Sequence, residues 1–392
     1  MNDTLPPAPW TQRTDLKRLI AVLGRNSEGV GNARYVGGAV RDTLLGLAVK
    51  DIDLATTIEP RKVMRVLENA GIRTIPTGID HGTVTALLAD GPVEITTLRH
   101  DVSTDGRRAT VAFAQDWQDD AARRDFTINA LYADPASGQL FDYFGGLDDL
   151  AARRVRFIGD ARARIREDHL RILRYFRFQA RFGSQPPDRV AEQSCSELAD
   201  TLKGLSRERI GMETMNLLAL PDPAATVTRM AELGVLAIIL PEGDPAALAA
   251  LAAEERRQDI APDSLRRLAA LLPPDPDLAA QGAARFRLSG AQKKRLVLAA
   301  RRDGPPNDAR ALAYRLGLDQ AIDRLLLAGS DTSVLKDWDI PTFPLKGGDI
   351  VARGIKAGPQ VAQILRAVED RWVEEGFPDA HRAAELLSAA IP

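Results

Sequence analysis

One cysteine, Cys195, in 392 residues leaves no partner for an internal disulfide and no cysteine-based metal cluster, which fits a reducing compartment. No apolar run reaches transmembrane length. The opening "MNDTLPPAPW" has neither a basic n-region nor an apolar h-region, so a cytoplasmic protein without a membrane anchor is expected. Neither sign of charge is in excess: 52 Lys and Arg face 54 Asp and Glu, for a net charge of -2. Any surface for nucleic acid must therefore be a local patch. Fixed-period repeats and low-complexity tracts are also missing. What is present is an ordinary globular composition, 45% apolar and 27% charged, in a chain long enough for several packed units.

The chain divides into two textures. Up to about residue 158 it carries short β-type runs, "ARYV", "DIDLAT", "IRTIPT", "TVTALL", "VEITTL", "ATVAFA", "QLFDYF" and "RVRFIG", with few helical stretches between them. From Asp160 onward, segments such as "DPAATVTRMAELG", "PDSLRRLAALL" and "DARALAYRLGL" place apolar residues three and four apart, with Gly, Pro or Asp at their ends. The pattern predicts a small α/β head followed by a long helical array.

Within the head, "YVGGAVRDTLLGLAVKDIDLATT" sets Asp51 and Asp53 in an apolar setting. In a strand, residues two apart share a face, so the two carboxylates point together while Ile52 and Leu54 enter the core. Such close like charges repel unless a cation sits between them, and a hard divalent ion such as Mg²⁺ suits oxygen ligands. An isolated pair of this kind is more often a solvated strand edge; the flanks change the reading. Gly37 and Gly38 end a β-type run and open a helical one, where a backbone without Cβ atoms can approach a phosphate and the first-turn N–H groups favour an anion. Arg41, three residues on, brings a fork of donors toward the same anion. In "TVTALLADGPVEITTLR", a hairpin through "ADGP" puts Glu94 out of phase with apolar Val93 and Ile95. Three acids, Asp51, Asp53 and Glu94, on neighbouring strands would suffice for metal-assisted nucleotidyl transfer, although Glu94 alone reads equally as a surface residue.

Two arginine-rich segments follow. "RRDFTINALY" offers Arg123, Arg124, Asp125 and Asn129 in a short helix; arginines suit triphosphate oxygens, and Asp or Asn suits ribose hydroxyls. Asp125 is equally compatible with a plain N-cap. Between Ala161 and Gly183 there are seven Arg and only two acids, Glu167 and Asp168. Asp168, Arg171, Arg174 and Arg177 are spaced by three, a drifting polar stripe on one helix, with Ile165, Ile172, Leu173 and Phe176 on the buried side. Alone, this is also the pattern of a helix held by ion pairs.

"GGAVRD", "DIDLATT", "TDGRRATVAF", "RRDFTINALY" and "IREDHLRILRYFRFQARFG" occur in the order and approximate spacing found in the class II tRNA nucleotidyltransferase (CCA-adding enzyme) and bacterial poly(A) polymerase family, which the chain resembles from Tyr35 to Gly183. The resemblance implies an α+β protein: a nucleotidyltransferase (polymerase beta-like) head over 1–158, then an elongated all-helical neck over 159–222 for nucleobase selection, and a body over 223–330 and tail over 331–392 for tRNA binding. It implies Asp51, Asp53 and Glu94 as catalytic, the first two holding Mg²⁺. Gly37, Gly38, Arg41, Arg123, Arg124, Asp125 and Asn129 would bind nucleotide, with Asp168, Arg171, Arg174 and Arg177 on its base. A carboxylate beside a guanidinium presents one acceptor and one donor, which matches the edges of both cytosine and adenine after small rotations. Gly106, Arg107 and Arg108 would form a mobile loop that favours full CCA addition over CC addition. The implied partners are tRNA, CTP and ATP, with no membrane. A poly(A) polymerase, a partial CC- or A-adding enzyme and a non-enzymatic RNA-binding protein are the alternatives.

Overall fold

The computed structural model describes residues 3–24, 31–105, 108–114, 116–184, 186–302 and 308–391, with the backbone alone for those of residues 100–112. The chain forms two compact units, one of Met1–Leu217 with Arg229–Ile239, the other of Leu218–Thr228 with Leu240–Pro392.

The first unit is built on a seven-stranded mixed sheet in the order β3-β4-β5-β2-β1-β8-β9. Its strands are β1 (Ala33–Val36), β2 (Asp53–Thr56), β3 (Arg73–Gly78), β4 (Thr83–Leu88), β5 (Gly91–Thr97), β8 (Leu131–Ala133) and β9 (Leu140–Asp142); β6 (Arg99–Asp105) and β7 (Arg108–Phe113) pair as a separate ribbon. Only β2 and β5 run parallel, and every other neighbouring pair is antiparallel. The parallel pair arises because α3 (Pro60–Asn69), β3 and β4 intervene between the two strands. Central β1 is buried at all four positions, as expected of a strand covered on both faces. Around the sheet lie α1 (Thr14–Leu23), α2 (Gly38–Leu44), α4 (Trp117–Ala122) and α5 (Gly146–Ala151); α6 (Ala161–Glu167), α7 (Arg171–Phe182), α8 (Arg189–Glu197) and α9 (Arg207–Leu218) continue the chain.

One expected strand is corrected. "RVRFIG" forms only an isolated bridge, Phe126 with Phe157. Val155 and Phe157 are buried, but Phe157 packs on Phe126 at 4.9 Å and stacks on Tyr175 at 5.8 Å, so ring packing rather than a ladder explains the alternation.

The second unit is helical, from Pro245–Arg257 to Ala380–Ala390, as the three- and four-residue spacing predicts. Glu255, 1% exposed, accepts from Arg266 and Arg267 at 2.8 Å each, a buried ionic cluster whose lone pairs and donors are well used. Trp372, Val368 and Leu387 centre a separate C-terminal cluster. Among the described residues no helix is long and apolar enough to cross a membrane.

Candidate active site

The register of β2 against β5 sets Asp53 directly beside Glu94. Ile52, Leu54, Val93 and Ile95 are all buried, so the acids occupy the alternate, open side. Asp51 precedes the strand, which begins at Asp53, and it is exposed; the alternation nevertheless extends back to it because Ile52 accepts a ladder bond from the Glu94 N–H at 3.2 Å. The Asp53 carboxyl is pushed up to about 6 by burial first and then by Glu94, with Asp51 adding to the rise and Arg124 opposing it. A divalent cation would relieve both the desolvation and the repulsion. Among the described residues no group of three or more metal-ligating side chains is preassembled. One or two carboxylates completed by substrate phosphates is the usual holding of Mg²⁺, so the donor set fits such an ion better than an all-protein cage.

Next to the acids is the glycine turn. Gly37, at φ +67°, ends β1 and caps α2, and its N–H donates to the Leu131 carbonyl at 3.1 Å. A Cβ there would meet nothing nearer than Arg124 Nη1 at 3.5 Å, so the left-handed backbone, not crowding, calls for glycine. Arg124 donates from Nε to the Tyr132 hydroxyl and from Nη2 to Asp120, both at 3.1 Å, leaving Nη1 toward Gly37. Arg123 also donates to Asp120, at 2.8 Å.

Arg41 does lie beside the glycine turn, its Nη2 3.6 Å from where a Cβ on Gly38 would be, but its nitrogens already have protein partners. It is 5% exposed; Nε and Nη2 are bound to Asp42 at 2.8 and 2.6 Å, Nη1 donates to Asn129, and the guanidinium sits 4.1 Å over the Phe182 ring. All three nitrogens are therefore used in tying α2 to the Asn129 turn and to α7. That turn is a single 3-10 turn, Thr127–Asn129, capped by Phe126 and not by Asp125. Asp125 instead accepts from the Phe126 N–H and Asn129 Nδ2 at 2.9 Å each, and from Arg174 at 2.8 and 2.5 Å. Burial would raise its pKa, but Arg174 and these donors outweigh that and hold it below the ordinary value.

The single-helix stripe is also corrected. Asp168 is extended (φ -148°, ψ 104°) at the end of α6, and α7 starts only at Arg171. Its carboxylate accepts from the Leu170 N–H at 3.1 Å, the local competition by which Asp breaks helices, and from Arg209 at 2.8 Å. Arg171 does not pair with Asp168: it donates to Glu167 at 2.7 Å and to the carbonyls of Arg164 and Arg123 at 2.9 and 3.0 Å. Arg174 and Arg177 do follow Arg171 along α7, and Arg177 pairs with Glu213 of α9 at 2.6 Å. Ile165, Ile172, Leu173 and Phe176 are buried as the spacing predicts.

Sequence reasoning missed Asp120, Tyr132, Glu167, Arg209 and Glu213. Asp120 stands three and four residues before the two arginines on a helical segment, a legible signal; Arg209 and Glu213 share a face of α9 but meet α6 and α7 only through the fold. Of the loop Gly106–Arg108, Gly106 and Arg107 lie outside the described residues, and Arg108 opens β7.

A carboxylate pair across parallel strands, beside a left-handed glycine turn and an arginine aimed at it, defines the head of a nucleotidyltransferase. Comparison with known proteins narrows the class. The family described as "Poly A polymerase head domain" matches residues 33–156, and "Probable RNA and SrmB- binding site of polymerase A" matches 187–247. The chain is 37% identical over 366 residues to "CCA tRNA nucleotidyltransferase 1, mitochondrial" of Homo sapiens, covering 88% of this chain and 83% of that protein. To the "CCA-adding enzyme" of Streptococcus sanguinis it is 40% identical over 215 residues, 54% of this chain and 52% of that one. Among solved structures, the Bacillus stearothermophilus CCA-adding enzyme in complex with CTP superposes with a TM-score of 0.72 at 26% identity over 98% of both chains. The Thermotoga maritima CCA-adding enzyme complexed with tRNA shares the fold, with a TM-score of 0.69 at 20% identity over 97% of this chain and 96% of that one. The chain belongs to the CCA tRNA nucleotidyltransferase and poly(A) polymerase family.

Proposed function

We infer that this protein adds C, C and A from CTP and ATP to the 3′ end of tRNA, using protein side chains in place of a nucleic-acid template. The observation that carries the reading is Asp53 beside Glu94, next to the Gly37 turn and Arg124, in a chain matched over most of its length by a relative named as a CCA tRNA nucleotidyltransferase.

Asp51 and Asp53 would hold Mg²⁺, with Glu94 as the neighbouring third carboxylate. When bound, the ion supplies charge neutralisation at the triphosphate and a more acidic attacking hydroxyl. Gly37 and Gly38 let the phosphates approach the backbone, and Arg124, with Arg123 beside it, draws triphosphate oxygens in. Asp125 and Asn129 border the ribose, and their bonds to Arg174 and Arg41 join sugar recognition to base recognition. Arg41 serves here as a tie and not as a direct ligand. Asp168 is one-third exposed and its partner Arg209 nearly half, so water weakens the pair and the amine of C or A can take Arg209's place. Arg171, fixed by three acceptors, supplies a donor in a constant position, with Arg174 and Arg177 beyond it. GTP and UTP reverse the exocyclic polarity and leave buried groups unpaired, at about 1–3 kcal/mol each.

On this reading residues 1–158 are the catalytic head, 159–222 the neck that selects the base, and 223–330 and 331–392 the body and tail that grip tRNA. Single, buried Cys195 supports action in a reducing compartment, and we assign the cytoplasm. The test offers a tRNA ending at its discriminator base each nucleotide in turn, then CTP with ATP, and sequences the products. Addition of C, C and A followed by arrest is expected; an oligo(A) tail from ATP alone would make the protein a poly(A) polymerase, and no extension would leave RNA binding.

A further inference from the structure

We infer that Asp120 and Tyr132 are positioning residues: they hold two edges of the Arg124 guanidinium so that its third nitrogen faces the Gly37 turn, and so set the affinity for the triphosphate of either nucleotide. The inference rests on the reading of Arg124 as a triphosphate ligand given above.

Its basis is a closed set of contacts. Asp120 is on α4, whose first turn is fixed by Asp116 accepting from the Gln118 N–H at 2.7 Å. Asp120 is 1% exposed and Tyr132 0%. One Asp120 oxygen accepts from Arg123 at 2.8 Å; the other takes the Tyr132 hydroxyl at 2.7 Å and Arg124 Nη2 at 3.1 Å. The Tyr132 hydroxyl, oriented by giving its proton to Asp120, accepts from Arg124 Nε at 3.1 Å. Trp117 and Tyr143 pack edge-on against the Tyr132 ring at 5.8 and 6.1 Å and fix its plane. Two nitrogens of Arg124 are thus occupied, and the remaining one lies 3.5 Å from where a Cβ on Gly37 would be. Among the described residues that nitrogen has no protein acceptor, the condition of a donor kept for a ligand. The charges agree with the geometry: burial works against an ionised Asp120, but Arg124, Arg123 and the Tyr132 hydroxyl together hold its pKa below the ordinary value. A guanidinium that would otherwise sample several rotamers is preorganised before substrate arrives.

The test is Tyr132→Phe, which keeps the ring and removes the hydroxyl. Binding of inorganic triphosphate is measured by calorimetry, alongside KM for CTP, ATP and tRNA and the melting temperature. Triphosphate affinity should fall about five- to tenfold, and KM for CTP and ATP should rise by the same factor with KM for tRNA unchanged. In an Arg124→Ala background, Tyr132→Phe should cost no further triphosphate affinity, since nothing remains to be aimed. Wild-type triphosphate affinity in a folded Tyr132→Phe protein, or an equal further loss in the Arg124→Ala background, would overturn the inference. Should Tyr132→Phe not fold, Asp120→Asn, of nearly the same size, takes its place; because Asp120 also holds Arg123, the Arg124→Ala comparison is then made in an Arg123→Ala protein. Triphosphate binding is read without catalysis, so a wild-type protein that binds triphosphate yet extends no tRNA would refute the proposed function and leave this inference standing.

Discussion

Gly146→Ala should be among the most damaging single-atom additions to this protein, although residue 146 only opens α5 and lies outside the nucleotide motifs. A Cβ there would lie 2.3 Å from the Thr127 carbonyl oxygen, 2.9 Å from its carbon and 3.0 Å from Leu131 Cδ2. Ordinary non-bonded separations are about 3.5 Å, so one side must move by roughly 1 Å. Thr127 cannot yield easily: its N–H donates to the Arg156 carbonyl at 3.0 Å and its hydroxyl to buried Asp149 at 2.6 Å. Overpacking costs about 1–3 kcal/mol even where side chains can adjust, and here backbone must shift, so about 3 kcal/mol is expected. For a unit of more than two hundred residues that lowers the melting temperature by roughly 6–12 °C. The displaced turn carries Asn129, which joins Arg41 to Asp125, so KM for CTP and ATP should rise together. The control is Gly290→Ala, where a Cβ meets nothing within 4 Å and a change within about 1 °C is expected. Thermal melts and nucleotide titrations of both variants decide it; a Gly146→Ala protein indistinguishable from Gly290→Ala would refute the idea that this contact sets the site's backbone.

Two further outcomes follow from the same geometry. Asp168→Ala should raise misincorporation of UTP and GTP relative to CTP and ATP, whereas Arg171→Ala should weaken C and A addition together with little recovery in Arg171→Lys, which lacks the fork; product sequencing with mixed nucleotides reads both, and equal loss for all four nucleotides would make these residues structural. Binding of tRNA should weaken steeply with salt and depend little on stem sequence, because phosphates rather than bases are gripped; a flat log-log salt titration would contradict this.

How far the site could be read from the chain depended on the range of the interactions involved. The alternation of Ile52 and Leu54 with the two aspartates, and of Val93 and Ile95 with Glu94, is local, and it placed the acids on the open side even though β2 begins at Asp53. Gly37 was legible because a positive φ leaves a residue-type trace. For Arg41 the spacing gave its place beside Gly38 but not the partners it meets there; Asn129 is 88 residues away in sequence, and Arg181, which shares Asp42, is 139 from that residue. The stripe through Asp168 failed for a short-range reason, since an aspartate that accepts from a backbone N–H two residues on ends a helix that three-residue spacing would continue. Arg209 and Glu213 left no signal near the segment they hold.

The central claim, that the Asp51, Asp53 and Glu94 cluster drives CCA synthesis, is met most directly by sequencing the 3′ ends of a CCA-less tRNA after incubation with CTP, ATP and Mg²⁺, using the protein and its Asp53→Ala variant side by side. The prediction is complete CCA ends with the protein and unextended RNA with the variant, whose tRNA affinity and melting profile remain near those of the parent. Substantial CCA addition by Asp53→Ala would contradict the carboxylate assignment, and an open-ended A tail from the parent protein would contradict the proposed reaction.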